Sequence, residues 1–487
     1  MLFNSLQFMV FLPTVLLAYY LTPKTKRWIV LLIASYYFYM SWNASYAILL
    51  FGSTIVTYTC GIKLYETKNP RAKKWWLGFG IFFNMALLFT FKYFNFVSAS
   101  ITNVMHILAI PLDPIVINVL LPVGISFYSF QAVSYLLDVS HGKLAPQYHF
   151  GIFAVYKSFF PQLVAGPIER APHMMPQLNN MRDATSPEVA EGLKLLVWGF
   201  FKKLVVADRI ALYIVNPIFN APGNATALQI IVAVCMFSYQ VYCDFSGYTD
   251  IARGCAKLMG FDLVQNFRRP FSSKSIAEYW RRWHISLSSW FQDYVFNPFY
   301  LKIFAKLPKK IKTATKHWTA FIISIIIGEI GLGLWHGANW TFAAYGLYHG
   351  IMIIVYYAIK RWWDPMYAWI RVTLTFLIVC GSSLFFRANS IADVGTMISR
   401  VFSHTASWSY GTIPLFDTAL ILILIVVIEV LQYFWKEGTV LAVPGLDQTK
   451  LKSQTKKYLE LSFVGIFFFI ILICGIFAAT TFIYFQF

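Results

Sequence analysis

Apolar runs of bilayer-crossing length recur from one end of this chain to the other. They cover roughly 6–22, 28–42, 44–62, 76–97, 101–127, 193–218, 226–245, 318–337, 339–359, 367–386, 413–435 and 458–485, and a spanning helix needs about 20 largely apolar residues. Hydrophobic residues make up 58% of the chain and charged ones 13%, where an ordinary soluble domain carries about a quarter charged. A water-soluble fold of this size could not hide so much apolar surface. The expected fold class is an all-α polytopic membrane protein, with the bilayer as solvent for most of it.

The remaining charge is strongly basic, 40 Lys and Arg against 21 Asp and Glu, for a net +19. On a soluble chain that excess would suggest a nucleic-acid face. Here it falls instead in short connections between apolar runs: "KTKR" at 24–27, "KNPRAKK" at 68–74, "KLPKKIKTATK" at 306–316, "KR" at 360–361 and "KLKSQTKK" at 450–457. Short basic connections mark the cytoplasmic side, so membrane lipid is the expected partner and nucleic acid is not. Threading the loops accordingly puts the N-terminus, and with it the C-terminus, outside. The first run has no basic residue before it and three just after, the reverse of a cleaved signal peptide, so an uncleaved first helix is expected. The six cysteines form no C-x-x-C pair and most lie in apolar runs; neither a disulfide framework nor a zinc site is expected.

Two regions, 143–195 and 246–316, are too polar and aromatic to span lipid and too apolar to be free loops. Within the first, "FFPQLVAGPIERAP" (159–172) breaks a short apolar piece with prolines and a glycine, which suits a re-entrant or interfacial segment covered by protein. Within the second, 275–300 has helical periodicity. At 100° per residue Trp280, His284, Leu287 and Phe291 fall within about 60° of one another, with Glu278, Arg282 and Asp293 opposite. Such a helix could simply anchor at the headgroups, or it could aim His284 inward at a cavity.

The run from Phe321, "FIISIIIGEIGLGLWHGANWTFAAYGLYHG", holds Glu329, His336, Asn339 and His349 at membrane depth. A charge there costs about 2.5–3.5 kcal/mol on insertion scales, so function is the default explanation. Imidazole can stay neutral, and a neutral ring nitrogen is what a general base needs. Gly328, Gly331, Gly333 and Gly337 let another backbone or a slim substrate come close. Glu329 precedes His336 by two turns, on the same helical face but about 10 Å along the axis, beyond direct hydrogen bonding. His349 would face away as a structural residue, and Asn339 would cap a turn or line a cavity. In "CDFSGYTDIARG" (243–254), Asp244, Ser246, Tyr248 and Asp250 either cap a helix start, which the pattern slightly favours, or line a cavity mouth. No metal-ligand spacing, nucleophile elbow, phosphate loop or dinucleotide fingerprint appears.

Six blocks in order carry a resemblance: "LFNSLQFMVFLPTVLLAYYL" near the N-terminus, "PVGISFYSFQAVSYLLDV" (122–139), "FFPQLVAGPIER" (159–170), "YCDFSGYTDIARGCAKLMGF" (242–261), "NFRRPFSSKSIAEYWRRWHISLSSW" (266–290) and "LWHGANWTFAAYGLYHG" (334–350). With them the chain resembles the membrane-bound O-acyltransferases, in the bacterial branch that O-acetylates alginate or transfers D-alanine to teichoic acid. The resemblance implies a multi-helix bowl of about 11–13 spans plus re-entrant or interfacial helices, with a central tunnel. It implies an acyltransferase core over 1–395 and an extension over 396–487 with about two further spans. It casts His336 as the catalytic histidine and His284 as the second histidine of the branch. Trp283, Trp335, Asn339, Asp244, Ser246, Tyr248 and Glu329 are then expected to line the tunnel or substrate site.

The implied chemistry is acetyl transfer from a cytoplasmic thioester, acetyl-CoA or an acyl carrier protein, with no tightly bound cofactor. The product is O-acetylation of a cell-surface or exported polysaccharide, in the cytoplasmic membrane of a bacterium, with an extracytoplasmic acetyltransferase or export protein as partner. D-alanyl transfer to teichoic acid is the alternative within the class. A proton-coupled transporter using the intramembrane His and Glu is the alternative outside it. If 318–337 and 339–359 are both full spans, His336 lies at the outer interface; reaching it from the cytoplasm then needs a shortened or broken helix, or a thinned bilayer.

Overall fold

The computed structural model describes residues 1–403, 409, 414–434, 453–477 and 482–483 of the 487. Among the described residues the regular structure is helical throughout, without strands. The chain divides into two compact units, Met1–Gly192 with Ala252–Val264, and Leu193–Ile251 with Gln265–Phe487.

The first unit is built on α1 (Leu6–Leu21), α2 (Arg27–Met40), α3 (Ala47–Glu66), α4 (Pro70–Leu88), α5 (Ile125–Ser140) and α6 (Phe150–Ser158). Ser5 caps α1 by accepting the Phe8 N–H, and Asn69 caps α4 ahead of Pro70, each satisfying a donor the first turn leaves open. Asn84 ties α4 to α3. Its amide accepts the Ser53 hydroxyl at 2.6 Å and donates to Thr57 at 3.2 Å, the kind of polar bond that joins helices where lipid removes the hydrophobic drive. The segment "FFPQLVAGPIER" forms one short helix, Phe160–Leu163, and then a buried irregular stretch. Glu169 anchors that stretch, accepting the Val264 N–H at 2.6 Å and pairing with His173 at 2.7 Å.

Six helical stretches among the described residues are long and apolar enough to cross a membrane: Ala44–Glu66, Pro70–Ile107, Ala227–Leu258, Thr313–His336, Trp340–Trp363 and Ala368–Arg387. That is fewer than the 11–13 expected, because apolar runs are not all long helices. α1 has 16 residues and α2 has 14. The expected spans 76–97 and 101–127 merge into the single helix Pro70–Ile107, and 110–122, with Pro111, Pro114 and Pro122, is non-helical. Proline removes a backbone donor and breaks helices. Residues 193–218 are helical but carry Lys202, Lys203, Asp208 and Arg209 and two π-helical stretches, Phe201–Ala207 and Ala211–Val215. Helices Leu415–Phe434 and Ser453–Cys474 occupy the two runs expected in the extension; the expected outer C-terminal end, 484–487, lies outside the described residues.

The second unit contains α7 (Ala227–Leu258, to Ile251), α8 (Ile276–Arg282), α9 (Ile285–Phe291), α10 (Thr313–His336), α11 (Trp340–Trp363) and α12 (Ala368–Arg387). The continuous helix expected over 275–300 is split between α8 and α9, with Trp283 extended and His284 left-handed. Glycines set the closeness of α10 to α11. A Cβ on Gly346 would stand 2.1 Å from the Glu329 carbonyl oxygen, and one on Gly333 would stand 2.2 Å from that of Phe342. Backbone meets backbone there, and only hydrogen fits between.

Candidate active site

His284 is fully buried and has φ 41°, a left-handed conformation that costs an L-residue roughly 1–2 kcal/mol. The strain is held from both sides. The Trp283 N–H closes α8 onto Tyr279, while Asn266 accepts the Ile285 N–H through its backbone at 2.9 Å and the Ser286 N–H through its side chain at 3.2 Å. The His284 carbonyl in turn starts α9 by accepting from Leu287 and Ser288. Such outliers persist where the surroundings over-determine them, most often at functional sites. The imidazole packs edge-on against Phe245 at 4.6 Å and against Trp335 at 5.8 Å between ring centroids. Burial pushes its pKa down to about 3, so it is neutral at physiological pH.

His336 is the last residue of α10 and is 2% exposed. Its ring lies 4.9 Å from Trp335, 5.0 Å from Phe386 and 5.7 Å from Tyr345. Gly337 follows with extended backbone, and a Cβ there would drive into the Phe342 ring at 2.2 Å. The imidazole opens on a cavity of about 20 Å³, whose walls include Trp283, Tyr279, Ser238, Ser383 and Phe386; that is room for one water molecule. Both imidazoles therefore pack against the same indole, Trp335, and Trp283 carries the chain from the cavity wall to His284.

The other expected residues fall elsewhere. Asn339 is the N-cap of α11, accepting the Thr341 N–H at 3.1 Å. Asp244, Ser246 and Tyr248 lie in mid-helix on α7, so the helix start that their pattern favours is not there. Asp244 and Ser246 form part of a buried charged cluster. Lys203 reaches Asp208 at 2.8 Å and Asp244 at 2.7 Å, while Lys202 reaches Asp250 at 2.6 Å and Ser246 at 2.8 Å. Asp244 also accepts the Ile483 N–H at 2.8 Å, and Phe482 packs on Tyr248 and Phe245. Glu329 borders Gly346 and Gly350 across the α10–α11 seam. Sequence reasoning passed over Lys202 and Lys203; two adjacent lysines inside an apolar run were the available signal. It also passed over Tyr345, Phe386 and the Ser238–Ser383 hydrogen bond of 2.7 Å.

A groove of about 480 Å³ runs along α8 and α9, lined by Arg268, Arg281 and Arg282 with Glu278, Trp280 and Ser288. Glu278 is engaged with Arg282 at 2.7 Å. Arg281 is exposed and forms no ion pair among the described residues, which leaves the groove's charge net positive.

The family described as MBOAT, membrane-bound O-acyltransferase, matches residues 125–386, which include both histidines, the cavity and the groove. The chain belongs to that family. Its membership makes this membrane-bound O-acyltransferase an enzyme of acyl transfer and sets aside the transporter alternative. The acyltransferase is 36% identical over 408 residues to a Pseudomonas syringae protein named "Probable alginate O-acetylase AlgI", covering 83% of this chain and 75% of that one. It is 31% identical over 429 residues to a Helicobacter pylori "Peptidoglycan O-acetyltransferase", 80% and 78% covered. A Bacillus subtilis "Teichoic acid D-alanyltransferase" shares 30% over 277 residues, 54% of this chain and 68% of that one.

Proposed function

We propose that this acyltransferase moves acetyl groups from a cytoplasmic thioester to a hydroxyl at the outer side of the membrane, for O-acetylation of a cell-surface or exported polysaccharide. The observation that carries this is His336, a buried imidazole at the end of a 24-residue helix, open to a cavity and sharing Trp335 with a second buried imidazole. His336 acts as the general base. It takes the hydroxyl proton as that oxygen attacks the thioester carbonyl; the C–O bond forms, the C–S bond breaks, and the proton ends on the leaving thiolate. His284 or the backbone N–H groups near Gly337 stabilise the oxyanion, with Trp283 and Trp335 as walls.

The arginine-lined groove favours an anionic donor such as acetyl-CoA or a carrier-borne phosphopantetheine. With the basic connections inside, the enzyme sits in a bacterial cytoplasmic membrane with its N-terminus outside. In this arrangement 1–395 is the acyltransferase core and 396–487 an extension, and an extracytoplasmic transferase or export protein receives the acetyl group.

The test is the purified protein in liposomes with radiolabelled acetyl-CoA. Thioester consumption is expected, falling about 10²–10⁴-fold in His336→Ala as loss of a general base predicts. Undiminished transfer in His336→Ala would refute the assignment of the base. Transfer from a D-alanyl carrier protein but not from acetyl-CoA would move the enzyme to the D-alanyl branch.

A further inference from the structure

After the helix Ser453–Cys474 the chain is fastened to the second unit at successive points. Arg209 donates to the Cys474 carbonyl at 2.8 Å, and the Ile476 N–H donates to the Leu204 carbonyl at 3.0 Å. Further on, the Ile483 N–H donates to the buried Asp244 carboxylate at 2.8 Å. Phe482 and Ile483 are each 3% exposed. They lie beyond residues 125–386, the stretch that matches the family, and the acyl-transfer chemistry above does not use them. A buried backbone donor must find an acceptor, and here it takes an oxygen of a side chain next to Phe245.

Phe482 sits where that fastening has a consequence. Its ring is 4.7 Å from Tyr248 and 5.8 Å from Phe245. Phe245 is in turn 4.6 Å from the His284 imidazole and 5.1 Å from Phe267, which itself lies 6.4 Å from His284. His284 meets Trp335 at 5.8 Å, and Trp335 meets His336 at 4.9 Å. A run of rings in mutual contact thus leads from Phe482 through Phe245, His284 and Trp335 to His336, with each step inside the range of aromatic pairs. Hydrogen bonds to Asn266 hold the backbone beside His284, while these rings pack its side chain. Protein interiors are close-packed and transmit displacement from one side chain to the next.

We propose that Phe482 is a positioning residue for acyl transfer. It backs Phe245, so that Phe245 keeps the His284 imidazole in place relative to Trp335 and His336, and the Ile483–Asp244 hydrogen bond holds it in its seat. The role rests on the acetyl-transfer function proposed above. Alanine at 482 would leave a void beside Phe245, and surroundings relax only partly around such a void. The Phe245 ring could then shift, and His284 would lose its nearest aromatic contact. A supporting shell loosened by about 1 Å is enough to cost activity. The arginine groove takes no wall from this segment, so donor binding is unaffected.

The experiment uses the full chain in liposomes with acetyl-CoA and a hydroxyl acceptor. It compares the unmodified protein with Phe482→Ala, Phe482→Leu and Phe477→Ala. Phe477 belongs to the same segment but is 54% exposed, so it controls for general disturbance. Phe482→Ala should lose about 10–100-fold in kcat per folded enzyme. The donor KM should stay within about twofold, the pattern of an interaction that serves the transition state alone. Phe482→Leu refills most of the volume and should stay within about threefold of the parent, and Phe477→Ala should match the parent.

The deciding measurement is a double-mutant cycle with Phe245→Leu. If Phe482 acts through Phe245, then Phe482→Ala costs little further kcat once Phe245 is leucine, and the double variant lies near the slower single one. Two losses that simply multiply overturn the proposal, because independent structural damage gives that result. So does a folded Phe482→Ala with the parental kcat, or a Phe477→Ala that is equally slow. Where Phe482→Ala does not fold, Phe482→Val carries the same cycle. Absence of acetyl transfer in the unmodified protein sinks the function and the positioning role together; an active parent indifferent to substitution at 482 sinks the positioning role alone.

Discussion

Replacing Gly346 with alanine puts a methyl group where the α10 backbone already stands. The new Cβ would lie 2.1 Å from the Glu329 carbonyl oxygen and 2.7 Å from its carbon, and neither atom can swing aside as a flexible side chain would. Relief to the ordinary contact of about 3.4 Å requires α10 and α11 to part by roughly 1.3 Å. Overpacking of this kind costs typically about 1–3 kcal/mol, which lowers the melting temperature without abolishing the fold. The larger effect falls on chemistry. His336 rides on α10 and Tyr345 on α11, and a misplacement near 1 Å at a reacting group costs about 10²-fold in rate. The same substitution at Gly328, also on α10, meets nothing within 4 Å and trades helix-weakening glycine for alanine, a gain of about 0.5–1 kcal/mol. Acetyl transfer in liposomes and thermal unfolding in detergent, measured on both variants, should therefore diverge. Gly346→Ala should lose about 100-fold in kcat, whereas Gly328→Ala should keep its rate and melt no lower than the parent. Should Gly346→Ala turn over within a few-fold of the parent, the close approach of these helices is not what places His336.

Lys203→Met leaves Asp208 and Asp244 without the buried cation that both reach; a loss of about 3–5 kcal/mol is expected, read as a large drop in melting temperature. His284→Gly and His284→Ala should both lose activity, but glycine tolerates φ 41° while alanine retains the strain. The glycine variant should therefore be the more stable by about 1–2 kcal/mol; equal melting temperatures would contradict the backbone account. The hydrogen bond to Glu169 raises the pKa of His173 above 6.5. That contribution to stability is complete below the unfolded histidine value and is lost as pH rises through the higher folded one. His173→Gln should flatten this fall in melting temperature above neutral pH, and an unchanged slope would dismiss the pair as its source.

His336 stood out in the sequence because a histidine inside an apolar run carries a membrane cost that its neighbours do not. Helical phase grouped His284 with Trp280, Leu287 and Phe291, whereas its ring packs on Phe245, Phe267 and Trp335, and its left-handed kink was not legible either. Periodicity assumes continuous helix, whereas Asn266, 18 residues earlier in the chain, is what holds the start of α9 away from α8. Asp244 and Ser246 resemble a cap because capping uses those residue types, and only partners some 40 residues away in the chain, Lys202 and Lys203, explain their presence in mid-helix. Hydropathy likewise located the apolar runs but could not show that α2 stops after 14 residues or that 110–122 is not helical. In each case the deciding contact is distant in sequence.

α10 also settles part of the question of depth. It runs unbroken for 24 residues to His336, about 36 Å at helical rise, so a broken helix does not bring His336 to mid-membrane. The cavity beside it, about 20 Å³, has room for one water and cannot take the arm of a thioester. Catalysis on this residue therefore requires the walls to part, and the Ser238–Ser383 bond of 2.7 Å between α7 and α12 is a contact that holds them together. A net hydrogen bond of this type is worth about 0.5–1.5 kcal/mol, a factor of about 2–10 in the equilibrium between closed and open. Ser238→Ala should then lower the donor KM by up to that factor while leaving kcat nearly unchanged, because neither hydroxyl has a role in the bond-making step. A KM that rises or holds constant would mean that the donor reaches His336 by a route that leaves α7 and α12 together.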